Sequence, residues 1–298
     1  MHKPVIVGLG GLGKAFFSKC CSKSLAAETF DIDPSQRPTK SSLADALGSE
    51  KAILLLCLPA TSVAVVIAEA KKHNVNALFV SFAKGLDDNG KTSAEIMSAM
   101  LEPSEYAVVG GPMLSSDILS GKDAFGVVAS RDDSARNETS SVLENLDVHT
   151  ITSEHPDFVS MAGVLKNIYA IAFGISVGLH LSDNLLGALW TAGGVEMEKV
   201  LNLTVSETVP DTVKKLALFG DLFACDVSQT SRHKMIGIEI GQGGRILQGE
   251  GTHAAPLLKK RMEQNIGELP ILEAVADIIG KAAVAQAIKQ AVLQHYGR

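Results

Sequence analysis

The sequence predicts a doubly wound α/β domain with a mainly parallel sheet, followed by an all-α domain. Three observations predict it. A glycine-rich turn, Gly8-Leu-Gly10-Gly11-Leu-Gly13, directly follows an apolar run and leads into a helical pattern. Short continuous apolar runs then alternate with helical stretches as far as Thr152. Beyond Thr152 no further strand pattern occurs, and a long apolar helix opens a helical second half. The boundary is expected at residues 153–156, giving domains over 1–154 and 155–298.

Taken in order, residues 4–7 form the first strand. In the turn after it, Gly8 suits a tight bend and Gly10 lets a backbone approach a pyrophosphate. Gly13 allows close packing of helix on strand, with Gly11 and Leu12 inside the same loop, and the helix amino terminus offers N–H donors to phosphates. A GxGxxG alone is weak, but a strand before it and a helix after it are the context of a Rossmann dinucleotide fingerprint. About 20 residues on, Asp31 and Asp33 end a second strand. Asp31 is the first choice to accept the ribose hydroxyls of NAD, and its charge would repel the 2′-phosphate of NADP. Arg37 and Lys40 nearby keep NADP open, and a turn-forming DxDP sequence is the other use for these aspartates.

The alternation continues with an apolar strand over 52–58, ended by Pro59, and a helix over 61–72. A strand over 77–82 opens into Ala83-Lys84-Gly85. Another over 106–109 runs into Gly110-Gly111-Pro112, and two more are expected over 124–129 and 148–151 with a polar helix between them. Continuous apolar strands separated by helices indicate a parallel sheet covered on both faces. Ligands of such sheets sit outside the carboxyl ends of the strands, the edge to which Pro59, Lys84 and Gly111 belong.

In the second half, helices are expected over 158–181, 184–200, 209–218 and 268–296. The first carries a single lysine, Lys166, followed by Asn167. That lysine is either salt-bridged scaffolding or a proton donor with a lowered pKa. Small residues at Gly163, Asn167, Ala170, Gly174 and Gly178 share one helical face, suited to close packing within the chain or between subunits. After Gly220-Asp221-Leu222 comes a hydroxyl-rich turn leading to Ser231, Arg232, His233 and Lys234, the residue types an anionic phosphate or carboxylate requires. Residues 241–244 and 248–252 read as glycine-rich loops.

Composition narrows the function. The 298 residues include 46% hydrophobic and 20% charged side chains, a composition that buries a core. A net charge of −6 leaves no electrostatic footprint for nucleic acid. No charged amino-terminal region precedes an apolar one, so secretion is not expected. Lys166 and Asn167 interrupt the long apolar run, so stable membrane insertion is not expected either. Cys20, Cys21, Cys57 and Cys225 make no CxxC pair and read as reduced cytoplasmic thiols, and the eight histidines show no metal-binding spacing, so no metal site is expected.

Together these pieces resemble the NAD(P)-dependent glycerol-3-phosphate dehydrogenases of the bacterial type, collinearly over almost the whole chain. The likeness comprises GLGGLG at Gly8, LPA at Leu58, AKG at Ala83, GGPM at Gly110, GVLKN at Gly163, GDL at Gly220, SRH at Ser231 and GEG at Gly249. It implies that Lys166 is the general acid in carbonyl reduction and that Lys84 and Asp221 contact and orient the substrate. Ser231, Arg232 and His233 would hold its phosphate, with Gly111, Met113 and Asn167 beside it. Ser115, Glu250, Lys84 and Arg232 would lie by the cofactor, together with the fingerprint glycines, Leu12 and Pro59. A small phosphorylated substrate, NAD (with NADP possible) and a homodimer are the expected partners.

Three positions depart from the family pattern. His233 stands where asparagine is usual, and its charge would depend on pH near neutrality. Met113 makes the run after Pro112 bulkier, and Ala192 replaces a common arginine. These departures keep open a related β-hydroxyacid-type reductase acting on another small anion. A non-catalytic dinucleotide-binding sensor is a third reading, which the lysine pair opposes.

Overall fold

In a computed structural model, residues 3–48, 51–73, 76–205, 207–281 and 283–297 are described. Seven strands form one sheet: β1 (Lys3–Val7), β2 (Glu28–Phe30), β3 (Ala52–Leu56), β4 (Ala77–Ser81), β5 (Tyr106–Gly110), β6 (Ala124–Ala129) and β7 (Val148–Ser153). Their order is β2-β1-β3-β4-β5-β6-β7. β3, β4 and β5 are buried along their whole length, as unbroken apolar runs require when both faces are covered. The covering and connecting helices are α1 (Gly11–Ser22), α2 (Leu43–Leu47), α3 (Ala60–Lys71), α4 (Ser93–Ser98), α5 (Ser115–Leu119) and α6 (Asp133–Asn145).

The expected parallel pattern has one exception. β5 runs antiparallel to β6, with Val109 opposite Val128. The connection is the shortest in the sheet: 13 residues, 111–123, join β5 to β6 and hold only the five-residue α5, whereas every other pair of successive strands is joined by 18 or more, and a parallel return needs a crossover of a dozen residues or more. An apolar run does not encode its own direction.

The helical half comprises α7 (Pro156–Gly178), α8 (Asp183–Thr204) and α9 (Asp211–Lys214), which passes through a π-helical segment at Lys215–Gly220 into α10 (Asp221–Val227). Then come α11 (Arg232–Gly241), α12 (Glu250–Arg261), α13 (Pro270–Ile279) and α14 (Ala287–His295). Three expectations need correcting. The single helix over 268–296 is two, interrupted at Gly280 and Lys281, the latter with φ +61°; Ala282, inside that stretch, lies outside the described residues. The hydroxyl-rich turn belongs partly to α10, and Ser231 is the residue that precedes α11. The loop over 248–252 becomes helix at Glu250.

α8, α10, α11, α12, α13 and α14 all pack against α7, whose side chains are almost all buried. α7 is long and apolar enough to cross a membrane, but its apolar stretch is buried inside this fold. Its small-residue face meets a matching face on α11. A Cβ at Gly174 would lie 2.1 Å from the Lys234 carbonyl oxygen, and one at Gly237 would lie 2.2 Å from the Ile171 carbonyl oxygen. Gly178 and Gly241 repeat the arrangement one turn later. The face therefore serves packing within the chain.

α13 is anchored by a buried carboxylate that belongs to no motif. Glu196, fully buried on α8, accepts from the Ile271 N–H at 2.8 Å, the Leu272 N–H at 3.1 Å and the Tyr169 hydroxyl at 2.8 Å. Burial outweighs these donors and pushes its pKa up to about 7 from 4.5, a displacement equivalent to about 3 kcal/mol. A carboxyl whose folded-state pKa lies above its unfolded one stabilises fully at low pH and loses that contribution as pH rises through the folded value. Thermal melts should therefore show stability falling from about pH 5 to pH 7.5. Glu196→Gln should flatten that slope; an unchanged slope would assign it to other groups.

Candidate active site

The fingerprint lies where β1 gives way to α1, beside the end of β3. Gly8 takes φ +93°, and a Cβ there would meet the Cys57 carbonyl oxygen at 2.6 Å. A Cβ on Gly13 would lie 1.9 Å from the Gly8 carbonyl oxygen, so helix and turn touch backbone to backbone. Around Gly10 nothing approaches within 4 Å of that position, and the first turn of α1 has neither a side-chain cap nor an acidic residue. This is an open cradle of unopposed N–H groups that fits a dinucleotide pyrophosphate. Gly11 faces Ser115, whose Oγ would be 2.9 Å from an added Cβ. Asp31 follows β2 and accepts from the Leu9 N–H at 2.5 Å and the Asp33 N–H at 2.8 Å. It ties the fingerprint loop to the second strand. Lys40 is engaged with Glu28 at 3.6 Å.

Next to the fingerprint, a cleft of about 270 Å³ separates the sheet end from the helical half. Leu12, Phe82, Met113, Leu114, Ser115 and Ser116 line it on the sheet side. Lys84 reaches in from the loop after β4, and Lys166 and Asn167 from the middle of α7. Ser231, Arg232 and His233 come from the start of α11, Glu250 from the start of α12. Gly111 and Pro59 are not among the lining residues. Gly111 instead gives its carbonyl oxygen to Lys84 Nζ at 2.9 Å, and Pro59 is exposed, preceding α3. Of the fingerprint only Leu12 reaches this cleft.

Two lysines share one buried carboxylate. Asp221, 1% exposed, bonds Lys84 through Oδ2 and meets Lys166 through Oδ1 at 3.3 Å. One carboxylate against two ammonium groups leaves the cluster one positive charge in excess. Burial pushes the Lys84 pKa down; Asp221 opposes that and the neighbouring charge of Lys166 adds to it. Burial acts on Lys166 as well, but there Asp221 and Cys225 prevail, and its pKa stands above the ordinary lysine value. Both lysines are thus salt-bridged to Asp221, Lys84 with its pKa lowered and Lys166 with its pKa raised.

The cluster is braced on both sides. Asn167 Nδ2 donates to the Lys84 carbonyl at 2.7 Å, and its Oδ1 is buried with no partner, an acceptor available to a ligand hydroxyl or amide. The Lys84 backbone N–H donates to Glu250 Oε1 at 3.2 Å. That approach requires Gly85, where a Cβ would lie 2.9 Å from the same oxygen. Burial raises the Glu250 pKa against the backbone donors of Ala60 and Lys84.

His233 corrects an expectation. Burial first, then the charges of Lys166, Arg232 and Lys84, push its pKa down to about 3. Its Nε2 accepts from the Gly251 N–H at 3.1 Å, which places the proton of the neutral ring on Nδ1. It is therefore a fixed neutral group at physiological pH. Arg232 is exposed at the mouth, held by donation to the Gln248 carbonyl at 2.8 Å. Met113 is largely buried in the cleft wall, and Ala192 is fully buried on α8.

Cys225 and Thr230 also line the cleft and were not singled out from the sequence. Cys225 becomes visible only once 221–227 is read as helix, because it then falls four residues from Asp221 on the same face. Among the described residues no group of three or more histidine, cysteine or acidic side chains is arranged to hold a metal ion.

Comparison with known proteins gives a consistent picture. A family profile for the amino-terminal part of NAD-dependent glycerol-3-phosphate dehydrogenase matches residues 34–136, and one for its carboxyl-terminal part matches 157–290. The glycerol-3-phosphate dehydrogenase (NAD(P)+) of Synechococcus sp. strain JA-3-3Ab is 35% identical over 207 residues, covering 66% of this chain and 66% of that one. The enzyme of the same name from Agrobacterium fabrum is 32% identical over 221 residues, covering 72% and 67%. The matched stretches span about two thirds of these relatives. The crystal structure of glycerol-3-phosphate dehydrogenase from Coxiella burnetii superposes with a TM-score of 0.85 over 100% of this chain and 99% of that one, at 21% identity, which shows a shared fold.

Proposed function

Because the chain belongs to the NAD-dependent glycerol-3-phosphate dehydrogenase family, we propose that it interconverts dihydroxyacetone phosphate and sn-glycerol 3-phosphate. Family membership makes it an NAD(P)-dependent oxidoreductase acting on a CH–OH group. The observation that carries the residue-level reading is the Lys84–Asp221–Lys166 cluster, buried at a cleft beside a dinucleotide cradle and one positive charge in excess. A bound nicotinamide supplies the hydride. The chain's own groups do the rest. Lys166 stabilises and then protonates the developing alkoxide at C2, its pKa keeping it charged until then. Lys84 offsets substrate charge, while Ser231, Arg232 and the neutral His233 form the anion end of the cleft. Asn167 Oδ1 accepts from a substrate hydroxyl or from the carboxamide of the cofactor.

We assign the sheet-bearing part, 1–154, to the cofactor and 155–298 to the substrate, with the chain acting as a cytoplasmic homodimer without membrane insertion. Asp31 favours NAD. Following NADH absorbance with dihydroxyacetone phosphate, and NADPH in parallel, tests both points. Oxidation of NADH in preference to NADPH is expected. Cofactor binding without oxidation of either would discard the substrate and return the β-hydroxyacid-type reading. Arg232→Ala should chiefly raise KM, by an amount worth about 1–3 kcal/mol for a charged hydrogen bond at an exposed mouth. An unchanged KM would mean that the phosphate lies elsewhere.

A further inference from the structure

We propose that Cys225 is a positioning residue for Lys166, its sulfur fixing where that ammonium points. The inference rests on reading Lys166 as the proton donor. Lys166 Nζ donates to Cys225 Sγ at 3.1 Å and lies 3.3 Å from Asp221 Oδ1. Both partners belong to α10 and are four residues apart, so one helical face presents them together. An ammonium has three N–H bonds in tetrahedral arrangement. With two directed to α10, the third direction is determined.

Asp221 alone does not distinguish the two lysines, because each takes one of its oxygens. Cys225 does. Its sulfur is the acceptor of Lys166, whereas the second partner of Lys84 Nζ is the Gly111 carbonyl. Without the sulfur, Lys166 keeps a single anchor and turns about it, toward the carboxylate and away from the cleft. Cys225 is 2% exposed, so water is a poor substitute for the lost acceptor. A thiol is also a weak acceptor. It orients the ammonium while costing little when the proton leaves, which a second carboxylate in its place would not allow.

The test compares the full chain with Cys225→Ala and Cys225→Ser, the second keeping an acceptor of similar size. The side-chain 15N–1H signal of Lys166 at pH 7 needs no substrate. It should shift, with faster proton exchange, in the alanine variant and stay near its original position in the serine variant. With NADH and dihydroxyacetone phosphate, alanine should lower kcat about tenfold at little changed KM, the scale of a small misplacement of a reacting group, and serine should restore most of it. An alanine variant with an undisturbed Lys166 signal and full kcat overturns the proposal. So does equal impairment of both variants, which would mean that Cys225 only fills space. If the unmodified chain oxidises no NADH, the substrate reading has failed, and the Lys166 signal still decides the pairing.

Discussion

Replacing Lys166 with alanine is expected to reduce turnover about 10²- to 10⁴-fold, the range general acids contribute, with NADH affinity nearly unchanged. The separation of effects follows from position. Lys166 sits in the middle of α7, facing the cleft, while the dinucleotide cradle is built from Gly8 to Gly13 on the other side. Lys84 cannot take over, because it is committed to Asp221 and to the Gly111 carbonyl. Removing Lys166 still leaves Asp221 one buried cation, so the fold avoids an unpaired carboxylate, the costliest outcome of breaking such a cluster. Lys166→Met separates loss of charge from loss of volume and should behave like alanine. The raised pKa of Lys166 adds a directional expectation. Its acid form is present throughout the neutral range, so carbonyl reduction should vary little with pH there, whereas alcohol oxidation needs the free amine and should accelerate toward alkaline pH. Steady-state rates in both directions, with a fluorescence titration of NADH, check this. A Lys166→Ala variant turning over normally would remove the lysine from the chemistry.

The first half of the chain was readable because its pattern is physical. A strand buried on both faces has to be continuously apolar, and a turn in which Gly13 touches the Gly8 carbonyl has to be glycine. The direction of β6 is not legible in the strand itself, since it goes with the short connection over 111–123 that precedes it. In the helical half, α7 and α8 announce themselves by length, whereas α11 is ten residues with two glycines and a polar start, and reads as a turn. Its two glycines are there for the partner helix, which sequence spacing cannot name. The site shows the same division. Lys84, Lys166, Asp221 and the Ser231-Arg232 pair belong to ordered motifs; the fold brings the lysines, Ser231 and Arg232 to one cleft and buries Asp221 behind the two lysines. The state of His233 is not legible in the sequence because it depends on burial and on Lys166 and Lys84 from other segments as well as on its neighbour Arg232. Cys225 was passed over because its importance lies in a contact with Lys166, 59 residues away.

Gly237→Ala is expected to be strongly destabilising. The new Cβ would lie 2.2 Å from the Ile171 carbonyl oxygen, 2.7 Å from the Gly174 Cα and 2.8 Å from the Ile175 nitrogen. All three are backbone atoms of α7, so no side chain can rotate aside and the helices have to separate. Overpacking usually costs 1–3 kcal/mol, and contacts this short against backbone belong at or above the top of that range. The helix-propensity gain of about 1 kcal/mol from glycine to alanine is outweighed. Gly187→Ala is the matched control. It lies on α8 with nothing within 4 Å of the added carbon, and should be neutral or stabilising by up to about 1 kcal/mol. Thermal melts by circular dichroism should separate the two variants by several degrees, Gly237→Ala falling and Gly187→Ala unchanged or rising. Activity should follow stability only for Gly237, because α11 begins with Arg232 and His233, and a helix pushed off α7 carries the anion end of the cleft with it. KM for the phosphorylated substrate should therefore rise even at temperatures where the variant remains folded. A Gly237→Ala protein with unchanged Tm and KM would mean that α7 and α11 yield at little cost, and that the glycine pairs are not what sets their distance.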